Sequence, residues 1–313
     1  MWFKKNKFII LSFSIILIFT GICFYQFYDE NFSYSKDYYI IKENCYEEKN
    51  LDHEYCKIYN NKENLESYIN INDPVKCYKE LDAITLTCSI IETTSFIILQ
   101  LFSPLLILIA VIGTFHSDFS SGMFKNRLMR INYKKYLGNI FKKVLKISLI
   151  TPIIIILIFI ISSIVTKFNF NIADSVKTFA VYEPWKYSNF FIYGLIVCLV
   201  QYLLNIMFCN IGLYCCIKNK NSFVATMMGY IIFILVEIFV YVIVYCYIIN
   251  KLLGFKELTD YFNISGYWFF DTGPSCIYTV FIAFILALIS FIIVYIIYRD
   301  KEKVIISYEK QNS

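Results

Sequence analysis

Thr94-Ser-Phe-Ile-Ile-Leu-Gln-Leu-Phe-Ser-Pro-Leu-Leu-Ile-Leu-Ile-Ala-Val-Ile-Gly-Thr-Phe115 runs for twenty-two residues without a charge. The polar stretch that follows, His116 to Lys146, holds Lys125, Arg127, Arg130, Lys134, Lys135, Lys142, Lys143 and Lys146 against one acid, Asp118. An apolar run of about 20 residues matches the hydrocarbon thickness of a bilayer. A neighbouring loop rich in Lys and Arg marks the cytoplasmic side. Five further runs of the same kind cover about 8–27, 147–165, 190–217, 223–249 and 276–298. The fold class is therefore an all-α integral membrane protein with six transmembrane helices.

Composition agrees with that reading. The 313 residues are 58% hydrophobic, 19% aromatic and only 17% charged, with a mean hydropathy of +0.58; a soluble domain carries nearer a quarter charged. The net charge of +5 matters less than its placement. Lys4, Lys5 and Lys7 precede the first run, Lys218 and Lys220 fill the short turn between the fourth and fifth, and Arg299 opens the tail. With the amino terminus inside, every basic loop falls on the cytoplasmic face, which requires an even number of spans.

Between the first two runs, residues 28–93 carry about twice as many acids as bases and read as a small extracytoplasmic domain. The domain plan is then 1–27 for the cytoplasmic start and first helix, 28–93 outside, 94–298 for helices two to six with a cytoplasmic segment 116–146, and a cytoplasmic tail 299–313. The first run resembles a signal peptide in outline. Gly21-Ile22-Cys23-Phe24-Tyr25 has no small-x-small cleavage pattern, so it is expected to stay as an anchor. Phe24, Tyr25, Phe27, Tyr28, Trp185, Tyr187 and Tyr267 to Phe270 cluster at the outer boundaries, as interfacial belts do.

Cys45, Cys56, Cys77 and Cys88 lie in the outer segment, where disulfides persist. They are candidate disulfide cysteines, and four allow three pairings. Cys23, Cys198, Cys209, Cys215, Cys216 and Cys246 lie in spans, where a thiol packs as a small apolar group. The two histidines, His53 and His116, fall on opposite sides of the membrane in this topology. No Gly-x-Ser-x-Gly elbow and no Gly-x-x-x-x-Gly-Lys-Ser/Thr phosphate loop is present. Neither catalysis nor a cofactor, a metal or a nucleic-acid partner is expected. Glu237, in the middle of the fifth span, is costly there. It reads either as a pathway or gating contact or as a structural acid bonded to Gln201, Asn205, Asn210 or a tyrosine.

From Phe115 the chain reads His-Ser-Asp118-Phe-Ser-Ser-Gly122-Met-Phe124-Lys125-Asn-Arg127-Leu128-Met-Arg130. An acid, a glycine four residues on, a leucine six beyond and then a basic stretch resemble the cytoplasmic segment of type-2 ABC transporter permeases. That family usually has glutamate at the acid, often threonine where Met123 stands, and a proline before the later basic residue that is absent here. The resemblance implies that Asp118, Gly122, Phe124, Lys125, Arg127, Leu128 and Arg130 form a coupling segment touching an ATP-binding subunit. It further implies two copies of that subunit, a second permease subunit of the same or a similar chain, and export of a peptide, drug or lipid. It also likens the apolar loop 250–275 to the short re-entrant helices that close the outer mouth in that family. The alternative is a membrane-anchored sensor or immunity protein that binds through its outer domain and needs no ATPase.

Overall fold

The computed structural model describes residues 6–41, 82–91, 93–120, 130, 132–170, 189–252, 254, 276–302 and 304–305. Its elements are α1 (Lys7–Ile41), α2 (Ala83–Ile91), α3 (Thr94–Ser120), α4 (Tyr133–Ile147), α5 (Ile150–Val165), α6 (Phe190–Lys218), α7 (Ser222–Ile238), a π-helical continuation of α7 (Phe239–Leu252) and α8 (Cys276–Arg299). Among the described residues six stretches are long and apolar enough to cross a membrane: Lys7–Tyr28, Thr94–His116, Tyr133–Val165, Phe190–Lys218, Ser222–Leu252 and Thr279–Arg299. Five of them coincide with the runs read from hydropathy, and the third begins at Tyr133, ahead of the run read from about 147. The first helix continues past Phe27 to Ile41, although its apolar part stops at Tyr28. Helical hydrogen bonding needs no apolar side chains, so hydropathy marks the membrane boundary and not the helix end.

The chain forms two compact units. The larger comprises residues 1–18, 97–157 and 189–313, and the smaller 19–96 and 158–188. In the larger unit α6 is the hub, packing most extensively on α8, then on α7, and also touching α4. Between membrane helices there is no hydrophobic driving force, so close approach at small residues matters. Gly212 on α6 sits where a Cβ would strike Val111 of α3, and a Cβ on Gly229 of α7 would lie 3.0 Å from Leu108. Outward faces carry large apolar side chains such as Leu195, Ile231, Phe281 and Ile296. Such surface suits hydrocarbon as its solvent and not water.

Two prolines lie within spans, and each leaves a carbonyl that the ordinary i to i−4 bond cannot serve. In α3, Pro104 vacates Gln100 O, and the Ser103 hydroxyl donates to it at 2.9 Å. In α5, Pro152 occupies the first turn, where proline is tolerated. Ahead of it Ser148 and Leu149 break α4 from α5, and Ser148 donates back to Val144 O through both its backbone N–H and its hydroxyl, each at 2.9 Å. The vacated Ser148 O accepts the side-chain amide of Asn205 on α6, at 2.9 Å. The third span is thus two helices joined at a turn.

The smaller unit has its own order. Asp82, 1% exposed, opens α2 by accepting the backbone N–H groups of Ile84 and Thr85, both at 2.9 Å, and the Thr85 hydroxyl at 2.5 Å. These bonds satisfy the free donors of a helix start. Ala83 N–H donates to Asn169 O at 2.7 Å. Just before that contact, α5 closes with Lys167 N–H on Ile164 O and Phe168 N–H on Ser163 O. Both residues have positive φ, 54° and 59°. The pairing is a Schellman closure with lysine where glycine is usual.

Candidate functional site

Two features of the larger unit can carry function. The first is α4. Tyr136, Ile140, Val144 and Ile147, spaced by four, four and three, form its buried stripe. Phe141 sets its ring 4.7 Å from that of Phe291 on α8 and 6.5 Å from Tyr295. Asn132 caps the start, its side chain accepting Lys134 N–H at 3.2 Å, and the Tyr133 hydroxyl donates to Tyr298 O at the end of α8. The Tyr298 hydroxyl in turn donates to Leu213 O of α6 at 3.1 Å. A helix with five lysines and no acid is therefore fastened along one side to the basic ends of two spans.

The end of α3 joins the same cluster. The Lys143 ammonium lies 5.1 Å from the Phe115 ring centre, within cation–π range. His116 Nε2 pairs with Lys220 O at 2.8 Å; a carbonyl only accepts, so Nε2 carries the proton. Lys220 belongs to the turn between α6 and α7, which Asn219 and Asn221 organise. Asn219 donates to Cys215 O at 3.1 Å, and the Asn221 side chain accepts Phe223 N–H at 2.8 Å.

The second feature is a cleft of about 250 Å³ among α6, α7 and α8, lined by apolar side chains such as Met207, Ile232 and Ile293. Its polar content is Tyr214 and the pair Asn210–Ser290, in which the amide donates to the hydroxyl at 3.0 Å. Among the described residues Asn210 Oδ1 has no hydrogen-bond partner. Asn210 lies eight residues before Lys218, about 12 Å along α6 from its basic end at 1.5 Å per residue. A site of this kind suits an apolar ligand with one hydrogen-bonding group.

Glu237 is half-buried and stands at the junction of α7 with its π-helical continuation, next to Val236 of the cleft. Of the partners expected for it, Asn205 gives its amide to Ser148 O and Asn210 gives its amide to Ser290. Within the coupling segment, Asp118 falls in the last turns of α3 and Arg130 is helical and exposed, while Gly122, Phe124, Lys125, Arg127 and Leu128 lie outside the described residues. So do Cys45, Cys56 and Cys77, and most of the loop 250–275; Cys88 is buried in α2. Among the described residues no group of three His, Cys, Asp or Glu side chains could hold a metal ion.

No protein-family model, curated protein or solved structure matches the chain at a significant level. The Asn205–Ser148 and Asn210–Ser290 links were not foreseen from the sequence. Pro152 was the available signal for the first, because a proline in a span announces an orphan carbonyl four residues earlier.

Proposed function

We propose that the chain is the membrane-spanning subunit of an ATP-driven exporter, with both termini cytoplasmic and two ATP-binding subunits docked on the segment Asp118–Arg130. A second permease subunit, the same chain or a similar one, completes the path through a bacterial plasma membrane. The observation that carries this reading is the continuity from that segment into α4. Arg130 lies three residues before Tyr133, where α4 begins, and α4 is held to α8 through Tyr133 and Phe141 and followed by the Ser148 link to α6. A push delivered at Arg130 by a nucleotide-driven partner would reach two spans through bonds and ring contacts already formed. Chemistry then belongs to the partner, and this subunit converts its motion into access to the cleft.

Purification of the tagged chain from gently solubilised native membranes tests the reading. A P-loop ATPase should accompany it and be lost when Gly122 and Leu128 are replaced by Asp. Absence of any ATPase, under conditions that preserve a known transporter complex, would leave the sensor or immunity reading in its place.

A further inference from the structure

Opposite the buried stripe, α4 presents Lys135, Asn139, Lys142 and Lys146, all exposed. Their spacings of four, three and four residues place them on one helix face. From Phe119 to Ile147 the chain contains no acid, so α4 itself supplies no counter-charge. Directly beyond Lys146 the exposed side chains turn apolar: Leu149 is 43% exposed, Ile153 43% and Ile156 49%. The face therefore passes from lysine to leucine and isoleucine within about one helical turn, as a lipid leaflet passes from headgroup to acyl chain. Lysines at such a boundary extend their charged ends toward the headgroups and lay their stems on apolar surface.

From this we infer that the Lys135–Lys142–Lys146 face of α4 binds the headgroups of anionic phospholipids in the leaflet that α4 enters. Charge complementarity selects an anionic lipid over a zwitterionic one, because a zwitterion brings its own cation to the site. The seating of α4 against α6 and α8 gives the bound lipid a route to affect the spans. This assignment rests on α4 alone and holds whichever function the chain has.

The test is native mass spectrometry of the full chain released from nanodiscs containing equal amounts of phosphatidylglycerol and phosphatidylcholine. The wild type should retain phosphatidylglycerol in excess. At about fivefold per lysine near a membrane surface, K135Q/K142Q/K146Q should lower that preference by tenfold or more, while K135R/K142R/K146R keeps it. If the glutamine variant does not fold, K142Q alone should lower the preference about fivefold against K142R. The control K134Q/K167Q, which lies off the face, should change nothing. Inorganic phosphate at millimolar concentration should not displace the lipid; displacement would make the site one for free phosphate and overturn the inference. An unchanged lipid preference in the folded glutamine variant would overturn it as well. If that variant instead kept its lipid preference but lost a co-purifying protein, the face would be a protein contact.

Discussion

The side-chain amide of Asn205 donates to the carbonyl of Ser148 across 2.9 Å, and that carbonyl is the one Pro152, four residues later, cannot serve. A break in one span is closed by a polar side chain of another. In hydrocarbon an unpaired carbonyl has no water to turn to, so the repair has to come from protein.

Asn205→Leu should therefore destabilise the protein by about 1 kcal/mol, the usual scale for a hydrogen bond between membrane helices. In a Pro152→Ala background the alanine N–H can take the carbonyl, and the cost of Asn205→Leu should vanish. Reversible unfolding in mixed micelles, read as a double-mutant cycle, measures this. Additive effects of the two substitutions would show that the proline and the amide are unrelated.

Ser103 performs the same repair within α3 at Gln100 O. Ser103→Ala should cost about 0.5–1.5 kcal/mol and little once Pro104 is also alanine. The thermal midpoints of the two single variants and the double variant decide it.

Glycine positions should divide by what surrounds them. A methyl at Gly212 meets Val111, and one at Gly229 meets Leu108, so alanine there should destabilise by about 1–3 kcal/mol through overpacking. Gly138 is exposed on α4, and a methyl added there would have no neighbouring atom within 4 Å, so Gly138→Ala should stabilise by about 0.5–1 kcal/mol. Equal signs at the two kinds of site, read from the same unfolding measurement, would contradict the packing of α6 and α7 on α3.

In the smaller unit, Asp82→Ala removes three bonds at the start of α2 and should cost about 1–2 kcal/mol. Asp82→Asn, which can still accept, should cost less. Amide hydrogen exchange across residues 83–91 reports the loss locally, and unchanged protection in the alanine variant would remove the cap from its assigned role.

Hydropathy placed five of the six spans within a few residues, because a membrane helix must be apolar along nearly its whole length and that requirement is written into consecutive residues. The third, which begins at Tyr133, was read from about 147 because the five lysines of α4 mask its apolar stripe. The turn at Lys218–Asn221 was legible for a related reason, being too short to hold anything else. By contrast, α2 lay hidden inside a segment read as polar and extracytoplasmic. Its nine residues, Ala83 to Ile91, make too short a run to stand out, and its start depends on Asp82 being buried against backbone donors.

The sequence by itself determined the class, the number of spans and the segregation of basic residues, since each follows from the cost of placing particular side chains in hydrocarbon. Tertiary structure alone decided that α4 is fastened along its apolar stripe while its lysine face stays open. It also decided that Asn205 completes the break at Ser148, and that Asn210 and Ser290 meet at the wall of a cleft. Those pairings join residues 57 and 80 positions apart. No periodicity encodes which polar side chain of one span will meet which carbonyl or hydroxyl of another, because that depends on the rotation and depth at which the helices pack.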